Sequence, residues 1–393
     1  MNLTARPQML KQVNLSLIRN AFKSIGIATR AEIADKTMIS PTTVRSLMTE
    51  MQRNGEIESI GYAESSGGRK AERYRFKSNR FFSVSFCITS DAVHYLIVDI
   101  YGNTLEAGEL GKLDVDTREP IVSFLDQLLT QREIKSIGLG VPGIVDDGVY
   151  WSMAPDGDSL TRIDIGVFLA QLYGIPVIME NDLNAIAIGY CRSYEKQYPA
   201  GSPDSGSDGS PGSSSDGGPG SGPDSSSDSA SDIDPDSGSD NSPESGPAGG
   251  PGSTNMAYIS FAEHGISAGF IAGGKIVRGF KNHAGELSLV PHCQYDTPYE
   301  FAPAKMDDDQ FFAYVVKVLS WICAILNPQY ITLAGPEFRE NCLAAIRDGI
   351  RARISHNMLP EVHYSADARN NYFEGMAFLT AERIFDEVHL RKM

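Results

Sequence analysis

Cysteine is scarce and unpaired in this sequence: Cys87, Cys191, Cys293, Cys323 and Cys342 are the five among 393 residues, with no Cys-x-x-Cys pair. That scatter excludes a disulfide framework, offers no thiolate set for a structural zinc, and fits a reducing cytoplasm. No run of eighteen apolar residues occurs, so no bilayer-spanning helix is expected. The first twenty residues, MNLTARPQMLKQVNLSLIRN, lack the apolar stretch of a secretory leader. Basic charge is in deficit, with 34 Lys and Arg against 50 Asp and Glu and a net charge of −16. At 41% hydrophobic and 21% charged residues the composition is otherwise that of an ordinary globular chain. The length allows two or three domains.

The charge deficit is unevenly spread. Residues 1–80 hold 14 Lys and Arg against 7 Asp and Glu, a net of +7, while the rest carry −23. A basic head on an acidic body predicts that the head meets a polyanion and the body does not. Within the head, Val13, Leu17, Ala21 and Ile25 repeat at helical spacing, with Ile18 and Phe22 on the same stripe. Thr29 with Glu32 three residues later is a capping-box start for a second helix. Ser40 followed by Pro41 starts a third, which runs to Gly55. Three helices with a tight turn before the third predict a helix-turn-helix. Its third helix would offer Ser40, Thr42, Thr43, Arg45 and Ser46 to base edges and phosphates, with Arg30 beside them on the second. EIESIGY and ERYRFK then pair as strands about ESSGGRKA, a wing whose tip carries Gly67, Gly68, Arg69 and Lys70. Glycines admit close backbone approach to a groove, and the two cations suit phosphates. Residues 1–80 are therefore expected to form a winged helix-turn-helix that binds double-stranded DNA, although some modules of this shape bind protein instead.

Residues 200–254 are almost wholly Gly, Ser, Pro and Asp, with ten acidic residues, no Lys or Arg, and Ile233 as the lone sizeable apolar side chain. Too little apolar surface is present to offset the chain entropy, and the segment reads as a disordered acidic insertion. Its Asp spacing lacks the glycine turns and closing Glu of a calcium loop. Because loop closure grows costly only logarithmically with length, residues 81–199 and 255–393 are expected to form one interrupted α/β domain.

Four stretches of that domain carry information. SVSFCITSDAVHYLIVDIYGNTL reads as a hairpin ending in a turn at Gly102-Asn103. IKSIGLGVPGIVDDGVYW is a buried strand running into a turn at Pro142-Gly143. GIPVIMENDLNAIAIGY is a strand that delivers Glu180, Asn181 and Asp182 at its end, then a helix. MAYISFAEHGISAGFIAGGKIVRGFKNHAGELSLV is a glycine-punctuated hairpin followed by Ala284-Gly285-Glu286. Polar residues at strand ends of an alternating α/β chain are where ligands sit. Asn181, Asp182 and Glu286 offer an amide and two carboxylates, which suit a ring of sugar hydroxyls; NDLNA reads equally well as a helix cap.

Taken in order, the SGGRK wing, VPGIVDDG, PVIMENDLNAIAIGY, GISAGFIAGGKIVRG, HAGEL and LNPQYITLAGPEF resemble the ROK family of repressors and sugar kinases. More narrowly, they are similar to its xylose and N-acetylglucosamine repressor branch. The resemblance covers nearly the whole chain except the acidic insertion. It implies an α/β fold in which the winged helix-turn-helix precedes a two-lobed actin-like/hexokinase-like body with a sugar site in the cleft. The family's sugar ligands fall on Asn181, Asp182 and Glu286, with Gly143 lining the cleft. In the family's kinases the aspartate matching Asp182 is the catalytic base.

The departures from the family pattern concern phosphate and zinc. Where the family's first phosphate loop reads Asp-x-Gly-x-Thr, this chain has Ser85-Phe86-Cys87-Ile88-Thr89. Where the second reads Gly-Thr-Gly-Ile-Gly-Ala-Gly, it has Glu263-His264-Gly265-Ile266-Ser267-Ala268-Gly269. The added carboxylate would repel a nucleotide phosphate by on the order of 1 kcal/mol or more at an effective dielectric of about 20. Phosphoryl transfer rests on positioning and charge neutralisation. ATP and magnesium are therefore not expected, and Asp182 would be catalytic only if the chain were a kinase. Glu286 is followed by Leu287-Ser288-Leu289, and the family's cysteine run is reduced to His292-Cys293-Gln294. His283, His292 and Cys293 read as surface or packing residues, and no metal or other cofactor is expected.

The implied function is a sugar-responsive DNA-binding transcriptional regulator, a repressor by resemblance. A homodimer or homotetramer would grip operator DNA, and a sugar or sugar phosphate, bound but not phosphorylated, would shift the spacing of the heads. No membrane partner is expected, and the location would be cytoplasmic. Two alternatives stand beside this reading: an active ATP-dependent sugar kinase with a DNA-binding head, and a regulator controlled by a protein partner with a vestigial cleft.

Overall fold

A computed structural model describes residues 6–63, 70–153, 160–197, 254–263, 265–287 and 303–386. The acidic insertion, but for Thr254, and Gly68 and Arg69 of the wing tip lie outside these residues. Helix α1 (Arg6–Ile25) begins before the stripe that announces it and buries Ile18, Ala21 and Phe22. A short strand, β1 (Ile27–Thr29), leads into α2 (Arg30–Thr37) through a reciprocal cap. Thr29 Oγ1 accepts from the Glu32 amide at 3.3 Å, and the Glu32 carboxylate accepts from the Thr29 amide at 2.7 Å. After a turn at Met38, α3 (Pro41–Arg53) is capped by Ser40 and opened by Pro41. Strands β2 (Ile57–Tyr62) and β3 (Glu72–Phe76) pair antiparallel, and the sheet order is β1-β3-β2. This is the expected winged helix-turn-helix.

The body follows in two α/β lobes. In the first, β4 (Phe82–Ile88), β5 (Val93–Val98) and β6 (Thr104–Leu110) form an antiparallel meander, so the hairpin read from the sequence carries a third strand. After α4 (Ile121–Leu128), β7 (Ile134–Val141) lies parallel to β4. A small sheet of β8 (Ile144–Asp146), β9 (Val149–Met153) and β10 (Leu160–Ile163) precedes α5 (Ile165–Tyr173). Then β11 (Val177–Asn181) joins parallel to β7, giving the order β11-β7-β4-β5-β6, and α6 (Asp182–Gln197) leaves its end.

The second lobe takes up β12 (Met256–Ala262), β13 (Gly265–Ala272) and β14 (Lys275–Ile276), then α7 (Asp308–Leu326), β15 (Tyr330–Ala334), α8 (Leu343–Arg351) and β16 (Glu361–Ser365). Its sheet order is β14-β13-β12-β15-β16. By length and composition α7 could cross a bilayer, which the absence of an unbroken apolar run did not anticipate. Its Phe311, Tyr314, Leu319 and Ile322 are instead buried in the core of this lobe. Thr254 Oγ1 donates to Glu195 of α6 at 2.7 Å.

Helix α9 (Ala368–Glu382) returns to the first lobe and lies directly on α6. The two helices meet backbone to backbone: a Cβ on Gly189 would come 1.8 Å from the Asn371 carbonyl oxygen, and one on Gly375 equally close to that of Ala185. Beyond α9 the chain enters the head's core. Phe385 packs on Phe76 of the wing and on Phe81, with ring centroids 5.4 and 6.2 Å apart. Lys23 of α1 donates to the Ala381 carbonyl at 3.1 Å and pairs with Glu382 at 2.6 Å. Arg19, buried in a bidentate pair with Glu56 at 2.8 and 3.0 Å, lies over Phe81 and Phe385. Head and body thus share one hydrophobic core.

Candidate functional site

A cavity of 290 Å³ opens between the lobes, and Gly143, Asn181, Asp182 and Glu286 all line it. Parallel pairing places Val141 of β7 opposite Asn181 of β11, so Gly143 and Asp182 leave the sheet at the same level. The facing lobe supplies Ser260, Ser267, Asn282 and Glu286. Gly143 has φ 122°, and a Cβ there would come 2.3 Å from the Trp151 carbonyl oxygen, so glycine is required. Asn181 serves as a helix cap, its Oδ1 accepting from the amides of Leu183 at 2.9 Å and Asn184 at 3.3 Å. Its Nδ2 donates to the Gly143 carbonyl at 2.8 Å, and the Asn181 side chain also hydrogen-bonds the Asp182 carboxylate, favouring its charged form.

Glu180 does not join its neighbours in the lining. It is buried, accepts from the Asn181 amide at 3.1 Å and Asn184 Nδ2 at 2.9 Å, and pairs across the cleft with Arg278. A second tie runs the same way, from Asn282 Nδ2 to the Val145 carbonyl of β8. Sequence reasoning missed both ties, since no local spacing relates β8 or β11 to the loop after β14. The Asp182 carboxyl is pushed up to about 6, chiefly by loss of water, and the Glu286 carboxylate adds to the rise. The Leu183 amide, 2.8 Å from Asp182 Oδ1, works in the opposite sense. At neutral pH such a group is an ionised acceptor for hydroxyl donors.

Protein fills the side of the cleft where a first phosphate loop would stand. Ser85 Oγ is bonded to Thr380 Oγ1 at 2.8 Å, and Cys87 is wholly buried, with its thiol pushed up by burial. Tyr372 of α9 lies against Gly140, where a Cβ would come 2.5 Å from its hydroxyl. Burial raises the Tyr372 hydroxyl well above its ordinary range, and the Asp182 carboxylate acts in the same direction. Thr89 Oγ1 bonds to Asp91 at 2.6 Å and closes the β4–β5 turn on itself. Glu263 is exposed at the β12–β13 turn. These residues do not fit a nucleoside triphosphate. Among the described residues no three His, Cys, Asp or Glu gather as a metal site, His283 is exposed, and His292 and Cys293 lie outside the described residues.

On the head, Thr42, Arg45 and Ser46 of α3 are exposed, and no carboxylate among the described residues pairs with Arg45. Ser40 and Thr43 form the cap, their hydroxyls 2.8 Å apart. Arg30 departs from the expectation. Its guanidinium sits 4.7 Å from the Tyr74 ring centroid and 3.5 Å from Glu72, bracing α2 against the wing. Lys70 is exposed at the root of the wing tip. Arg73, exposed on β3 opposite Thr29, was missed; the outward alternation of ERYRF was its signal.

No family model matches the chain. Over 189 residues it is 24% identical to the xylose repressor of Bacillus subtilis, covering 46% of this chain and 49% of that protein. It is 22% identical over 190 residues to the xylose repressor of Caldicellulosiruptor bescii, covering 46% and 48%. The chain thus spans about half the length of the curated relatives it matches. Among solved structures it is similar to a ROK family transcriptional regulator described as a homologue of the E. coli MLC protein. The TM-score is 0.61 at 15% identity, with 96% of this chain and 97% of the other covered. The chain resembles the ROK repressors in sequence and shares their fold, a winged helix-turn-helix on a two-lobed actin-like body.

Proposed function

We propose that the chain is a DNA-binding transcriptional regulator whose interlobe cleft senses a sugar or sugar phosphate without phosphorylating it. One observation carries this reading: a single cleft keeps its hydroxyl-binding groups, Asn181, Asp182 and Glu286, while Tyr372, Ser85 and Cys87 fill its phosphate side. The coupling to DNA is mechanical. A ligand drawing Asn181 and Asp182 toward Glu286 acts on the first turn of α6. Helix α9 is clasped to α6 at Gly189 and Gly375 and ends against the head's aromatic cluster, so it carries the displacement to α3. In a homodimer or homotetramer that displacement changes the distance between two recognition helices, which must match half-sites about 34–36 Å apart. Action on operator DNA places the protein in the cytoplasm.

The names of its relatives make xylose the first ligand to try. Anisotropy of labelled operator DNA, titrated with protein in the presence of xylose, N-acetylglucosamine, hexoses and their phosphates, tests the reading. Release of DNA by one of them, with affinity falling steeply as salt rises, is the expected result. ATP-dependent phosphorylation that disappears in Asp182→Ala would overturn it in favour of the kinase alternative. Intact DNA binding without thermal stabilisation by any sugar would instead favour control by a protein partner.

A further inference from the structure

We propose that the cleft continues into a second ring-sized subsite built around Trp151, so that the preferred effector is a disaccharide or other glycoside; this deepens the sugar reading above and rests on it. At 290 Å³ the interlobe cavity lies at the lower end of the roughly 300–1,000 Å³ usual for ligand sites, and suits one ring. A second cavity of 240 Å³ adjoins it, sharing Ile144 and lined also by Asp146, Trp151, Lys281 and His283. Both cavities draw on both lobes. In the loop after β14, Asn282, Ala284, Gly285 and Glu286 face the first, while Lys281 and His283 face the second. Lys281 and Asn282 are consecutive non-glycine residues in the left-handed region, at φ 51° and 59°, a costly backbone that its surroundings must hold in place.

The lining has the chemistry of a pyranose seat. Tyr150 is buried in the core of the first lobe, and alternation along β9 turns Trp151 the other way, toward the cleft. Backbone pairing with Ile144 on one side and Arg162 on the other fixes its place. An indole face with an isoleucine beside it accepts the apolar C–H face of a sugar ring, and Asp146, Lys281 and His283 meet its hydroxyls. A phosphate fits less well, since the Asp146 carboxylate would oppose it.

The chain has two tryptophans, Trp151 and Trp321, so in a Trp321→Phe protein the emission reports on this seat alone. The full chain is titrated with xylose against xylobiose, glucose against maltose and cellobiose, and glucose 6-phosphate. We expect a disaccharide to bind at least about tenfold tighter than its monosaccharide and to shift the Trp151 emission. Trp151→Ala, or Asp146→Asn should the first variant fold poorly, brings that ratio, read by isothermal titration calorimetry because Trp151→Ala removes the reporting indole, to about one. Equal affinities with unmoved emission would overturn the subsite, as would a preference for the sugar phosphate over the disaccharides. Silence toward every sugar would overturn the sugar reading itself, and the subsite with it.

Discussion

Asp182 sits under two opposed demands, a water-poor setting that disfavours its charge and the proposed hold on a sugar hydroxyl that calls for it. The folded carboxyl titrates near 6 against an ordinary value of 3.8. Between those pH values the folded chain holds a proton that the unfolded chain has released. The group's contribution to stability therefore falls as pH rises through that window and stays lost above it. Asp182→Asn keeps the oxygen that caps Leu183 and removes the charge. It is expected to raise the melting temperature at pH 7, with a smaller gain at pH 4, while abolishing effector-driven DNA release. Calorimetry at the two pH values and operator anisotropy read the two effects separately. On the head, Arg45→Ala should remove about 1–3 kcal/mol of operator binding and leave the melting temperature unchanged. Arg30→Ala should do the reverse, lowering the melting temperature through the lost Tyr74 and Glu72 contacts. A thermal melt run beside the anisotropy titration distinguishes them.

At the level of helices and strands, what the sequence revealed was what local chemistry decides. Thr29 with Glu32 and Ser40 with Pro41 start α2 and α3 as their spacing predicts, because a cap is completed within one turn. The ends of β7 and β11 were legible for a similar reason, each passing directly into a polar turn or helix start. Asn181 supported two readings because its side chain has two ends, one capping α6 and the other facing Gly143. Partners distant in sequence left no such trace. Arg30 looked available to phosphate until the wing brought Tyr74 beneath it, and nothing in the sequence tied Glu180 to Arg278 of the other lobe. Gly189 and Gly375 were equally silent, since a glycine inside a helix shows its purpose only when a second helix touches it. Gly189→Ala should separate α6 from α9 at about 1–3 kcal/mol of stability. It should also flatten the effector response more than sugar affinity, as DNA release and isothermal titration compared on one preparation would show.

Across the whole molecule, the fused core of head and body is the feature on which the proposed regulation rests. Phe385 is buried between the two, and its truncation to alanine should cost about 3–5 kcal/mol. Differential scanning calorimetry is expected to show one transition for the native chain and two for Phe385→Ala, with DNA affinity less responsive to effector.

If the head reads operator DNA as proposed, a domain packed into the body in this way is expected not to swivel to follow a duplex of altered phase. Adding about five base pairs between the halves of the operator turns the second half to the far side of the helix. A loosely tethered recognition domain would tolerate the change. This one should lose nearly as much affinity as if the second half had been erased, and a full turn of added DNA should restore part of it wherever the assembly's reach allows. The fused core would then act as a rigid gauge, with the permitted operator geometry written into the aromatic contacts around Phe385.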